Sequence, residues 1–303
     1  MSPRKLLATV LALAVLAALA AIVIAAGDGE EPWPDAKRGD LLPPVLNGPT
    51  IVWAVGDGAD GSARAQRVAA QIGEGAGHPV RMLYLGDVYE TGTAAEFRTN
   101  YESVYGHVKD RTAPTIGNHE LDNRDEGYIP YWTEVHGRAP SYFNLRASGW
   151  QILGLNSEID ATADSEQVAW VEGQLGKRKF GNCRIAFWHR PRYSAGAHGD
   201  QPDLSALWDA VEGRARVVLS GHDHDMQRLR PREGVVAFIS GAGGHDPRPT
   251  DEGDPRLAFS EDRRPGALRL RLGHENLRWR FISAAGRTLD RGELRCRRGP
   301  PKT

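Results

Sequence analysis

Five short segments of this 303-residue chain carry side chains that bind metals or move protons, and each sits where an apolar run reaches a turn. They are Gly56-Asp57, Gly86-Asp87, Gly117-Asn118-His119-Glu120, Trp188-His189 and Gly221-His222-Asp223-His224. Carboxylate, amide and imidazole donors together suit zinc, manganese or iron and not calcium, which takes oxygen ligands alone. Two such ions held roughly 3.5–4 Å apart clamp a phosphoryl group and acidify water. Two carboxylates, one Asn and three His suffice for two ions if one Asp bridges them. Taken singly, each segment has an ordinary reading. Gly-Asp at a strand end is a turn or a helix cap, Gly-Asn-His-Glu a solvated turn, and a strand-end His a ring satisfied by backbone. Gly-His-x-His is the most specific, because imidazoles at i and i+2 leaving a strand form a chelate. All five in one order leave the ordinary readings little room.

The elements that must position these residues alternate strand and helix. Apolar runs predict strands over 50–56, 80–86, 112–117, 183–188 and 215–219, and a strand pair at 142–145 and 150–156 around Ser148-Gly149. Helical spacing covers 63–72, 94–105, 165–175 and 204–211. Further β segments are expected at 235–239, 267–272, 277–282 and 288–296. This is an α/β domain, with antiparallel β at its end. In an open α/β sheet ligands bind at the carboxyl ends of the strands. The five loops therefore converge although they span 168 positions, Asp57 to His224. The Gly before the donor in four of the groups, all but His189, lets the backbone turn sharply.

With these motifs as they stand (GDG at 56–58, GDVYE at 86–90, GNHE at 117–120, WHRP at 188–191 and GHDHD at 221–225), the chain resembles the calcineurin-like metallophosphoesterase superfamily, nearest its purple-acid-phosphatase-like bacterial members. The likeness extends to LGLNSE at 153–158, QVAWVEGQL at 167–175 and SGAGG at 240–244. It implies a four-layer αββα sandwich, two mixed β-sheets flanked by helices. It also implies a metal pair of Fe, Zn or Mn: Asp57 and His224 on the first ion, Asp87 bridging, and Asn118, His189 and His222 on the second. His119 contacts the phosphate and protonates the leaving group. Two positions depart from the pattern. Ala59 stands where many members have a ligand His, and Tyr89 falls one residue before the usual ligand Tyr, a position filled here by Glu90. Tyr89 is taken as the remaining donor, in weak contact, with Glu90 its competitor. His198, in the loop after His189, is a candidate second acid or substrate contact; its ordinary reading is an exposed loop His.

Residues 1–26 read as a signal peptide or a membrane anchor. Arg4 and Lys5 precede an apolar run of 21 residues, Leu6 to Ala26, long enough as a helix to cross one hydrocarbon core and to contact the membrane if uncleaved. Residues 27–48 read as a linker, 49–296 as the catalytic domain and 297–303 as a tail. The rest of the chain is then exported. Cys183 and Cys296 form one disulfide or remain two buried thiols. A net charge of −1 predicts no nucleic-acid surface. The expected activity is hydrolysis of a phosphate monoester outside the cytoplasmic membrane. A phosphodiesterase or nucleotidase is the alternative within the superfamily. A membrane-tethered binding protein with a degenerate metal site is the alternative of another class. Oligomeric state is not legible.

Overall fold

A computed structural model describes Trp33, residues 40–73 and residues 77–297. The chain divides into two units, Met1–Pro34 and Asp35–Thr303. Every described residue except Trp33 belongs to the second. The apolar run of residues 6–26 lies outside the described residues, among which no helix is long and apolar enough to cross a membrane.

The strands are β1 (Thr50–Val55), β2 (Val80–Tyr84), β3 (Thr112–Pro114), β4 (Phe143–Ala147), β5 (Trp150–Gly154), β6 (Arg184–Phe187), β7 (Val217–Ser220), β8 (Met226–Leu229), β9 (Val236–Ser240), β10 (Leu257–Glu261), β11 (Gly266–Leu272), β12 (Asn276–Ser283) and β13 (Thr288–Arg295). They form a six-stranded sheet, β13-β12-β11-β1-β2-β3, and a seven-stranded sheet, β10-β8-β9-β7-β6-β5-β4. In the first, β1, β2 and β3 run parallel and β11 joins β1 antiparallel. In the second, β5, β6, β7 and β9 run parallel. Alternation sends Val52, Ala54, Leu83 and Leu85 of one sheet against Ile185, Phe187, Leu219 and Phe238 of the other, which makes the central core.

Helices cover both outer faces. On the first sheet lie α1 (Ala63–Ala69) and α2, residues 94–105. Tyr84 packs its ring against Tyr101 and Tyr105 of α2 at 5.1 and 5.4 Å. The helix expected over 94–105 is present but widens into a π-type turn at Phe97–Tyr101. The helix α3 (Ile129–His136) follows, with Pro130 in its first turn and Gly137 closing it in the left-handed region. On the second sheet, α4 (Glu166–Leu175) and α5 (Ser205–Val211) lay Val168, Val171, Leu207 and Val211 against Leu153, Ala186 and Val218. The four layers agree with the expected sandwich.

Three details differ from the sequence reading. The strands β8 and β10 and the helix α3 were not expected. The third strand stops at Pro114, opposite the end of β2 at Tyr84, with one further bond from the Thr115 N–H to the Tyr84 carbonyl at 2.9 Å, so the Gly117 segment lies beyond the strand. Residues 40–48 are not linker. Asp40 and Val45 bridge to Asn144 and Ala147 on the edge of β4, Arg146 donates to the Asp40 carboxylate at 2.6 Å, and Leu41 and Leu42 enter the core. Cys183 and Cys296 are joined in a disulfide between the start of β6 and the end of β13, so a covalent link spans the two sheets.

Candidate metal centre

The parallel strands of both sheets end on one edge, and the two sheets are hydrogen-bonded to each other there. Gly56 N–H donates to the Ser240 carbonyl at 2.9 Å, and the Ser240 hydroxyl donates to the Ala54 carbonyl at 2.9 Å. The loops that leave these strands carry the expected residues. Three of them, Asp57, Asp87 and His222, hold φ of 58°, 70° and 68°. Side chains beyond glycine rarely adopt this left-handed region, and such outliers concentrate at functional sites. The tight turns let neighbouring loops approach closely. A Cβ on Gly86 would meet His189 Nδ1 at 2.6 Å.

Asp87 stands at the centre, buried, with its two carboxylate oxygens facing two sets of donors. On one side, His189 Nε2 lies 3.3 Å from Asp87 Oδ1 and 3.1 Å from Asn118 Oδ1. His189 Nδ1 donates to the Leu85 carbonyl at 2.7 Å, which aims Nε2 into the site. The His222 ring lies 5.0 Å from that of His189, and ligand atoms of Asp87, His189 and His222 come within 4.8 Å of one another. On the other side, the Tyr89 hydroxyl is 3.2 Å from Asp87 Oδ2, 3.2 Å from Asp57 Oδ1 and 2.9 Å from His224 Nε2. His224 Nδ1 donates to the Asp246 carbonyl at 2.8 Å, which aims its Nε2 inward as well.

The electrostatics fit a pair of cations. Burial and the adjacent Asp87 raise the Asp57 carboxyl well above its ordinary range. Burial alone would lower the His189 imidazole, yet the Asp87 and Asp57 carboxylates overcome it and push His189 up to about 10. The site thus favours positive charge beside Asp87. His222 and His224 are pushed down, chiefly by burial, His224 to about 4, and so keep the unprotonated nitrogen that a metal needs.

The residues named from the sequence as candidate ligands and acids lie together around Asp87, and the side chain of Glu90, the competitor to Tyr89, does not. The Glu90 side chain is exposed, and its backbone carbonyl serves the site instead by accepting His119 Nδ1 at 2.6 Å. The Tyr89 hydroxyl stands in the position for which Glu90 was the competitor. The His119 ring is one-third exposed, with Nε2 3.9 Å from Asp87 Oδ2. The exposed His198 ring lies 4.3 Å from that of His222, and its backbone N–H donates to Asp223 Oδ1 at 2.8 Å.

Two residues of the site escaped the sequence reading as site residues. Glu120 is buried, and its Oε2 accepts the N–H of Asp87 at 3.0 Å and of Gly117 at 3.1 Å. It belongs to GNHE, so the motif itself was the signal. His245 stacks on Tyr89 with ring centroids 3.7 Å apart. It directly follows SGAGG, whose role was not read.

The family model for calcineurin-like phosphoesterases matches residues 50–226. Among curated proteins, the chain is 30% identical over 145 residues to tartrate-resistant acid phosphatase type 5 of Rattus norvegicus, covering 44% of this chain and 43% of that one. It is 27% identical over 133 residues to purple acid phosphatase 22 of Arabidopsis thaliana, covering 38% and 31%. The chain thus spans less than half the length of these relatives. Among solved structures, it is similar to a purple acid phosphatase from yellow lupin (Lupinus luteus) seeds, at TM-score 0.69 and 15% identity over 83% of this chain and 55% of that one. It is also similar to GAP50, the anchor in the inner membrane complex of Plasmodium, at TM-score 0.67 and 14% identity over 83% and 90%. At such identities these two likenesses concern the fold. The match of the family model takes in more than half of the residues and all five motifs at least in their metal-donor positions, and this chain belongs to the calcineurin-like phosphoesterase family.

Proposed function

We propose that this chain is a two-metal phosphomonoesterase acting outside the cytoplasmic membrane. The observation that carries the reading is Asp87 with one oxygen toward His189 and the other toward Tyr89. One bridging carboxylate with a donor set on each side is what a metal pair requires. Asp57, Tyr89 and His224 would hold one ion, and Asn118, His189 and His222 the other. Fe, Zn and Mn suit this mixture. When bound, the ions supply Lewis acidity toward a phosphoryl oxygen and acidify water.

The chain's own residues supply orientation and the proton. His119 Nδ1 is tied to the Glu90 carbonyl, so Nε2 faces the site at its open side, where a leaving alkoxide needs a proton. His198 sits at the rim over His222, where a substrate oxygen passes. The preference for a monoester draws on the acid phosphatases among the relatives. Export draws on the apolar run of residues 6–26 and on the Cys183–Cys296 disulfide, a bond that forms and persists in oxidising compartments.

The test is metal analysis of the purified protein together with turnover of p-nitrophenyl phosphate and bis(p-nitrophenyl) phosphate. Two ions per chain and faster monoester turnover are expected. Faster diester turnover would reassign the substrate class to a phosphodiesterase or nucleotidase. Two bound ions with no turnover of either would favour a tethered binding protein.

A further inference from the structure

The motif SGAGG has no chemistry of its own, yet its backbone lies against the first metal-ligand loop. Gly243 N–H donates to the Gly56 carbonyl at 3.2 Å, and His245 N–H donates to the Asp57 carbonyl at 3.0 Å. This approach is open only to glycine. A Cβ on Gly243 would meet the Gly56 carbonyl oxygen at 2.3 Å, and one on Gly244, at φ 148°, would meet Ala65 at 2.5 Å. The consequence falls on the next residue. The His245 ring is delivered flat onto Tyr89, at 3.7 Å between centroids and 12° between planes. Its Nδ1 lies 3.6 Å from the Asp60 carboxylate, and Asp60 is itself fixed by accepting the N–H of Ser62 at 2.8 Å. The edge of His119 closes on the Tyr89 ring at 4.7 Å.

This matters because Tyr89 stands one residue before the position from which a Tyr of this family is expected to reach the metal. Within a strand a one-residue shift would turn the side chain to the opposite face, but Tyr89 lies in the turn after β2, where alternation does not fix its direction. Tyr89 reaches the Asp57, Asp87 and His224 cluster nonetheless, and its ring direction is set by what packs on its faces.

Resting on the two-metal reading above, we propose that His245 is a positioning residue that clamps Tyr89 so that the phenol oxygen acts as a full donor to the first metal ion. The pair His245–Tyr89 then stands in for the His that Ala59 lacks. Side chains that orient metal ligands contribute 10–100-fold to metal affinity.

The test is Zn2+ titration against a competing chelator in wild type, His245→Ala, His245→Phe, Tyr89→Phe and the double variant Tyr89→Phe/His245→Ala. His245→Gln replaces His245→Ala if the latter fails to fold by circular dichroism. His245→Ala is expected to weaken the looser of the two zinc sites by about 10-fold. His245→Phe, which keeps the stack, should restore affinity, and the double variant should bind no worse than Tyr89→Phe. Wild-type affinity in His245→Ala, or losses that multiply in the double variant, would overturn the role of His245 while the two-metal reading stands. Wild-type affinity in Tyr89→Phe would overturn it too, since Tyr89 would then be no donor. A wild-type protein that takes fewer than two zinc ions would overturn both readings together.

Discussion

Glu120 holds the backbone of Asp87: one carboxyl oxygen accepts the Asp87 N–H at 3.0 Å and the Gly117 N–H at 3.1 Å, locking the second ligand loop to the third. Burial, and then the Asp87 charge, raise the Glu120 carboxyl well above its ordinary range, so a neutral acceptor serves as well as a charged one. Glu120→Gln should therefore retain metal, and Glu120→Ala, which leaves two buried N–H groups unpaired, should lose affinity by about 10–100-fold. Calorimetric metal titration of the two variants checks this. Equal losses in both would show that the charge matters and not the acceptor.

Asp87→Ala and His222→Ala should lose bound metal and turnover together, because Asp87 faces both donor sets and His222 completes one of them. His119→Ala should keep both ions and lose turnover by about 10²–10⁴-fold, the range of a general acid. Metal content and kcat measured on the same preparations separate the cases. Loss of metal in His119→Ala to the level of Asp87→Ala would reject the role given to His119.

Tyr89 and Glu90 divide cleanly in the structure, and a colour test follows. The Tyr89 hydroxyl lies within 3.2 Å of three donors, whereas Glu90 is exposed. With ferric iron in the first site, a visible charge-transfer band should appear, vanish in Tyr89→Phe and persist in Glu90→Gln. Turnover of Glu90→Gln should stay near that of wild type, because the side chain is exposed and the carbonyl that holds His119 is kept. A band lost in Glu90→Gln would reverse the assignment.

Asp225 gives a pH dependence of stability. Burial, then the neighbouring Asp223, push its carboxyl up to about 7. The folded state holds this proton more tightly than the unfolded chain, whose Asp titrates near 4. Its contribution is therefore full below about pH 4 and is lost as pH rises toward 7. Asp225→Asn cannot ionise and keeps a partner for Gln227 and Thr250. Relative to wild type, its Tm should gain roughly 2–4 °C or more between pH 5 and pH 8, measured in chelator. A difference that is flat with pH would remove Asp225 as its source.

The domain begins earlier than its first long strand. A chain that starts at Asp40 is the reference for the test. Removal through Pro49 should cost about 3 kcal/mol or more, from the burial of Leu41 and Leu42 alone. Denaturant melts of the two truncations decide it, and equal midpoints would return residues 40–48 to the linker.

The sequence made the ligand loops legible because each donor group follows an apolar strand and all but His189 also follow a glycine. What it hid depended on packing between distant segments. The strand β8 leaves directly from the Asp223-His224-Asp225 turn and alternates buried Gln227 with Arg228, so no apolar run marks it. The helix α3 opens on Pro130, which fits only a first helical turn, and that turn had no periodic stretch to announce it. The reach of Tyr89 hid for the same reason. Spacing alone puts it one position early, and its direction is set by His245, which lies 156 positions away in the chain and arrives by way of two glycines.

The left-handed backbone at positions 57, 87 and 222 sets folding against chemistry. A non-glycine residue held there costs on the order of 1–3 kcal/mol. Glycine would relieve that cost at each position and remove a donor. The contrast is sharpest at His222, whose imidazole makes no hydrogen bond among the described residues and so contributes little to the metal-free fold. A library of variants sorted for thermal stability alone, in the presence of chelator, should enrich glycine at 222; the same library sorted with metal and substrate should retain histidine. With the proposed metal pair, the fold is in that sense kept short of its own stability optimum at the residues that would hold the ions.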